Sequence, residues 1–215
     1  MNEDVPPPPR RPRLARSGLI AALVAAWFAA SAAGLLGLMR SAATPGDAGS
    51  PPAAWPADSA LPRPTRRPLL VMMAHPRCSC TAASLEELSR MMAGAAGKVD
   101  AIVAFDVPSA AGGEWTTGTL WNDAAAIPGV RVVADRDGIE ARRFRTATSG
   151  HVLLYDAAGR LLYSGGMTVA RAHAGDNAGL EALASILRGR TPDRREAPVY
   201  GCALDAVTSP AGTNP

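Results

Sequence analysis

The chain has 215 residues, a formal net charge of +3, 47% hydrophobic residues and three cysteines. An odd and small number of cysteines excludes a fold built mainly on disulfides. Part of the positive charge sits in an N-terminal arginine cluster without interleaved aromatics, so no nucleic-acid surface is expected.

Residues 1–16 read as a basic tail containing Arg10, Arg11, Arg13 and Arg16. Residues 17–39 follow without a single charge. At about 1.5 Å per residue, 23 helical residues reach across a hydrocarbon core of roughly 30 Å. Only Arg40 follows the run closely, so the positive-inside rule holds the N-terminus in the cytoplasm. The reading is a single-pass anchor in a cell inner membrane, with the C-terminal domain in the periplasm. Ala30-Ser31-Ala32 offers the alternative of a cleaved signal peptide, but the apolar run continues beyond it. Both readings export the remainder of the chain.

Residues 40–68 are rich in proline and alanine and lack apolar periodicity, which predicts an extended spacer. One folded domain is expected over 69–204, including a C-terminal extension, with a disordered tail at 205–215. Within the domain, Leu69–Ala74 reads as a buried strand and Thr81–Met92 as a helix with Leu85, Leu88 and Met91 on one face. Val99–Phe105 and Val130–Ala134 read as strands, with a short helix near Leu120–Ala126 between them and a helical turn at Glu140–Phe144. His151–Tyr155 and Arg160–Ser164 flank a Gly-containing loop and read as a hairpin, placed at the edge of a sheet. Asp176 or Asn177 caps a last helix ending at Gly189. Crossover helices make the first strands parallel, so the class is α/β, a central mixed sheet flanked by helices.

The chemistry concentrates at Cys78-Ser79-Cys80, between the first strand and its helix, preceded by His75-Pro76-Arg77. This order, with His75-Pro-Arg-Cys-Ser-Cys80 at the helix start and His151-Val-Leu-Leu-Tyr-Asp-Ala-Ala-Gly-Arg160 as the hairpin, resembles the thioredoxin fold. More narrowly, it resembles membrane-anchored, TlpA-like thioredoxins, and within them RedB-like proteins with a C-x-C motif. The resemblance implies that Cys78 is the exposed nucleophilic cysteine of a thiol–disulfide oxidoreductase. Two departures stand out. The usual C-x-x-C spacing would put the second cysteine where this chain has Thr81, and the family's cis-proline position falls near Ser149-Gly150, where there is no proline.

In this reading Cys78 attacks a partner disulfide and Cys80 resolves it, with no cofactor. The helix start and Arg77 favour the Cys78 thiolate, and His75 either adds positive charge or accepts the proton. The partner is an exported or membrane protein with exchangeable thiols, and the N-terminal helix binds the membrane. The alternative is a Sco-like copper metallochaperone with Cys78, Cys80 and His173 as ligands, since soft thiolates suit Cu(I); a redox-inactive thioredoxin-like binding module is the third. Cys202, in the apolar patch Pro198–Leu204, is a candidate third redox thiol or metal ligand if the tail docks back on the domain. Arg171 and His173 lie in a polar loop that either faces the cysteines or is simply solvated. Trp115 and Trp121 read as packing residues.

Overall fold

The computed structural model describes residues 13–204; the start of the basic tail and residues 205–215 lie outside the described part. Helix α1, Arg13–Ala43, is by itself one unit up to Ser41. It is the one helix among the described residues long and apolar enough to cross a membrane. Its Leu19, Trp27, Phe28 and Leu38 side chains are all exposed, as a helix with no protein core around it requires.

The second unit begins at Ala42 and holds the elements β1 (Leu69–Ala74), α2 (Ser79–Gly94), β2 (Asp100–Val107), α3 (Thr119–Ala126), β3 (Val130–Arg136), α4 (Ile139–Arg143), β4 (His151–Tyr155), β5 (Leu161–Gly165) and α5 (Ala178–Leu187). The sheet order is β3-β2-β1-β4-β5, with β1, β2 and β3 parallel and β4 antiparallel to both β1 and β5. The hairpin therefore differs from the expectation in one respect. Of its two strands only β5 lies at an edge of the sheet, while β4 is an inner strand with all five residues buried.

Strand β1 is apolar throughout because both of its faces are covered. Leu70, Met72 and Ala74 join a core with Leu85, Leu88 and Met92 of α2, Phe105 of β2 and Leu183 of α5. Leu69, Val71 and Met73 point the other way, into a second core with Phe144, Tyr155, Trp55 and Leu61.

That second core adds to the reading of residues 40–68 as an extended spacer, because part of the segment is packed on the domain. The segment is irregular, but it packs. Trp55 meets Phe144 edge-on at 4.9 Å and Tyr155 at 5.2 Å between ring centroids. The Trp55 N–H donates to the Gly159 carbonyl at 2.7 Å, and Tyr155 Oη donates to the Pro52 carbonyl at 3.0 Å. Further along, Ser59 Oγ and the Ala60 N–H both donate to the buried carboxylate of Glu140 in α4. The short α4 leaves much of this sheet face uncovered, and a proline-rich chain with one large aromatic fills the gap. Backbone groups without a ladder are satisfied by these specific partners.

Two outcomes test this account. Trp55→Ala should cost about 3–5 kcal/mol of stability, the usual cost of deleting a buried aromatic, read by denaturant unfolding of the full chain in detergent followed by circular dichroism. His151, at the start of β4, is fully buried, and burial lowers its pKa to about 4, opposed weakly by the Asp47 carboxylate. It therefore stays neutral in the fold but binds a proton in the unfolded chain near its ordinary value of about 6.5. Stability should fall as pH drops from about 6.5 towards 4, by up to about 3 kcal/mol from this one group. His151→Gln should flatten that part of the pH profile, and an unchanged slope would refute the assignment.

Candidate functional site: a three-thiol cluster

Strand β1 ends at Ala74 and hands the chain to His75-Pro76-Arg77, which turns it into α2. Three hydroxyl-mediated bonds fix this turn. The His75 N–H donates to Ser149 Oγ at 2.9 Å, and Thr81 Oγ1 donates to the His75 carbonyl at 2.9 Å. Thr81 has then spent its only proton, so the Ser149 hydroxyl is the donor in the 2.9 Å contact between the two hydroxyls. Ser149 and Thr81 are both fully buried, and the closed ring leaves neither hydroxyl unsatisfied.

Cys78 is the residue at the N-cap of α2, with extended backbone (φ −97°, ψ 123°) and no side-chain oxygen capping the helix. Its sulfur faces the backbone N–H groups of Cys80 and Thr81. Cys80 lies in the first helical turn. Cys202 arrives from the far end of the domain, its Sγ 2.6 Å from Cys78 Sγ. The three sulfurs all lie within 4.8 Å of one another, and all three thiols are free.

The docking of Cys202 is built from backbone contacts. The Ser149 N–H donates to the Cys202 carbonyl at 2.8 Å, and the Leu204 N–H to the Ala147 carbonyl at 2.9 Å. Thr148 and Ala203 form an antiparallel bridge, while Val199 and Leu204 are buried. Gly201 lies so close to the Ser149 carbonyl that a Cβ has no room there. Arg171 adds a clamp: one guanidinium nitrogen donates to the Gly201 carbonyl and Nε to the Thr44 carbonyl at 3.2 Å.

The electrostatics concentrate negative charge on one sulfur. Burial opposes ionisation of Cys78, but the Cys202 S–H and the N–H groups of Cys202, Cys80 and Thr81 outweigh it and bring its pKa below the ordinary thiol value. Cys202 moves the other way: burial and its bond to the Cys78 thiolate push it up to about 12. Burial and the Cys78 charge also raise Cys80, partly offset by the Ala172 N–H and the Arg171 guanidinium. Negative charge in the cluster is thus drawn to Cys78, the one thiol of the three whose pKa is lowered while those of Cys80 and Cys202 are raised.

Other expected participants stand differently from the sequence reading. The Arg77 guanidinium lies 4.2 Å above the Trp115 ring and 3.9 Å from Glu114. The Arg171 guanidinium lowers the pKa of both Cys80 and Cys202 against the burial that raises them. His75 is held neutral, first by burial and then by the Arg77 charge, and its Nδ1 accepts the Arg77 N–H at 3.1 Å. His173 Nδ1 meets its neighbour's Arg171 carbonyl at 2.6 Å, and His173 lies outside the cluster, where Cys202 takes the third position. Cys78, expected to be exposed, is only 2% exposed, and the exposed cysteine is Cys202. Trp121 packs as expected, stacked on Phe105. Sequence reasoning missed Ser149 and the tripartite bond ring; a serine at a position normally given to proline was the available signal.

Gly201→Ala should push the tail away without altering any sulfur, raising the pH at which Cys78 alkylates with iodoacetamide. Cys202→Ala should do the same by removing the S–H donor. A Cys78 profile unmoved by both would show that the helix start alone sets its ionisation.

No protein-family model matches the chain, and no curated protein matches it in sequence. Among solved structures, it is similar to a hypothetical protein of Sinorhizobium meliloti 1021, with a TM-score of 0.58, 21% identity, and coverage of 76% of this chain and 97% of that one. It is also similar to an uncharacterized conserved protein of Geobacillus kaustophilus, with a TM-score of 0.55, 16% identity, and coverage of 75% and 92%. An exposed lipoprotein thioredoxin of Streptococcus pneumoniae strain TIGR4 matches at a TM-score of 0.37 and 18% identity over 57% of this chain and 84% of that one. These likenesses concern the fold. With its β-α-β crossover, antiparallel hairpin of β4 and β5 and closing helix, the domain is thioredoxin-like.

Proposed function

We propose that this chain is a membrane-tethered, extracytoplasmic thiol–disulfide oxidoreductase in which Cys78 is the reacting thiolate. The observation that carries the reading is the N-cap position of Cys78, whose charge is met by an S–H and by backbone N–H groups. Only the thiolate attacks disulfides, so a site that lowers one cysteine and holds its neighbours protonated is suited to exchange. Attack by Cys78 forms a mixed disulfide and expels one partner sulfur as thiolate. A second thiol of the cluster then attacks Cys78 Sγ, releasing the partner in reduced form. The length and apolar character of α1, with arginines ahead of it, support a membrane tether and an exported domain. The partner is an exported or membrane protein with exchangeable thiols, and the resemblance of the His75–Cys80 segment to RedB-like proteins agrees.

A copper-carrying function is the second reading, favoured by three soft donors within 4.8 Å. Cys78, Cys80 and Cys202 would hold Cu(I), with His173 outside the set.

Full-length protein in detergent micelles, equilibrated across a glutathione redox series and assayed for free thiols and copper, tests both. Exchange predicts a reversible two-electron transition without metal that disappears in Cys78→Ser. One tightly held copper per chain, with no reversible thiol transition, would overturn it in favour of the carrier.

A further inference from the structure

Within an exchange cycle of the kind proposed above, on which this inference rests, we propose that the internal disulfide joins Cys78 to Cys202 and that, when this oxidised pair meets a dithiol, the sulfur attacked is Cys202. The C-x-C pair is then not the resting redox couple. Cys202 becomes the point of contact for a dithiol protein.

Proximity decides the first half. Cys78 and Cys202 are already the sulfur pair in contact, and the tail that carries Cys202 is fixed at Ser149, Ala147 and Arg171. Cys80 is turned towards the 168–177 loop, where the Ala172 N–H bonds to it. That loop is itself held by the buried Glu87, whose carboxylate accepts the Gly175 N–H.

Access and leaving-group chemistry decide the second half, and they agree. Cys78 is 2% exposed and Cys80 5%, whereas Cys202 is exposed. An incoming thiolate therefore reaches the Cys202 side of the disulfide. Attack there expels Cys78, whose thiolate the N–H groups at the start of α2 stabilise. Attack on Cys78 would instead expel Cys202, which in the reduced cluster holds its proton firmly. Exchange is faster when the departing thiol has the lower pKa.

One thiolate of the partner dithiol bonds to Cys202 Sγ as the Cys78–Cys202 bond breaks, leaving Cys78 as thiolate. The partner's second thiol loses its proton to solvent and attacks its own first sulfur, expelling Cys202, which takes up the remaining proton. The partner dithiol becomes a disulfide, and two electrons reside on Cys78 and Cys202. A disulfide-bearing second partner returns the pair to the oxidised form.

The test uses full-length protein in detergent micelles, oxidised with diamide and mapped by mass spectrometry of its peptides. The oxidised protein is then exposed to glutathione as a monothiol probe in the presence of iodoacetamide. The expected products are a Cys78–Cys202 disulfide, then glutathione on Cys202 with the alkyl group on Cys78. Cys202→Ser, checked for folding by circular dichroism, should lose the glutathione adduct. A Cys78–Cys80 disulfide, or glutathione on Cys78 with the alkyl group on Cys202, overturns this proposal and leaves the exchange reading standing. No disulfide among the three cysteines would overturn both.

Discussion

A charge on a buried sulfur must be met by donors, and in this domain the supply determines the architecture around it. Cys78 is almost entirely removed from water, so solvation cannot hold its thiolate. The helix start provides N–H groups from Cys80 and Thr81, and the remaining donors come from Cys202, 124 residues away in sequence. Every feature that fixes the tail is therefore also a feature that sets the charge on Cys78. The small residue at Gly201, the Ser149 N–H and the Arg171 guanidinium act on the sulfur by holding Cys202 in place.

Ser149 joins the two halves of this arrangement. Its hydroxyl belongs to the ring that shapes the turn before α2, and its N–H holds the tail carbonyl. A shift of β4 at its start would thus move both the helix that carries Cys78 and its donor. The same economy appears on the opposite sheet face. There an irregular segment around Trp55 does the covering that a longer α4 would otherwise do. Irregular chain from both sides of the domain is thus structural, and its backbone groups are paired individually rather than in ladders.

This explains which parts were legible in sequence. The run Leu69–Ala74 announces a strand buried on both faces, and its boundaries match β1 because an apolar run bounded by Pro68 and His75 can hardly be misplaced. The Asn177 cap and the hairpin of β4 and β5 are likewise local signals, carried by a side chain two or three residues from the N–H groups it serves and by a short Gly-containing loop. The docking of Trp55 left no periodic trace, because a segment with neither helical nor strand repeat hides its contacts in single residues. The apolar patch around Val199 and Leu204 hinted that the tail returns. Its register, which sets Cys202 on Cys78 instead of elsewhere, depends on long-range backbone pairing that composition does not encode.

The displaced cysteine follows from the same bonds. In a C-x-x-C arrangement the second sulfur would occupy the place of Thr81. Here the Thr81 hydroxyl closes the ring with His75 and Ser149, donating one proton and accepting another in a fully buried position. A thiol there is a weaker donor and acceptor, and would leave the His75 carbonyl and the Ser149 hydroxyl poorly satisfied at a cost of about 1–3 kcal/mol for each buried group left unpaired. The turn can keep this ring or place a sulfur at that site, but not both at full strength. With threonine retained, the nearest thiols are Cys80, drawn towards Ala172, and the one delivered by the tail. The spacing of the motif and the return of the C-terminal segment are in this sense a single structural solution: the hydroxyl ring fixes the turn before Cys78, and a further sulfur is supplied from outside the helix.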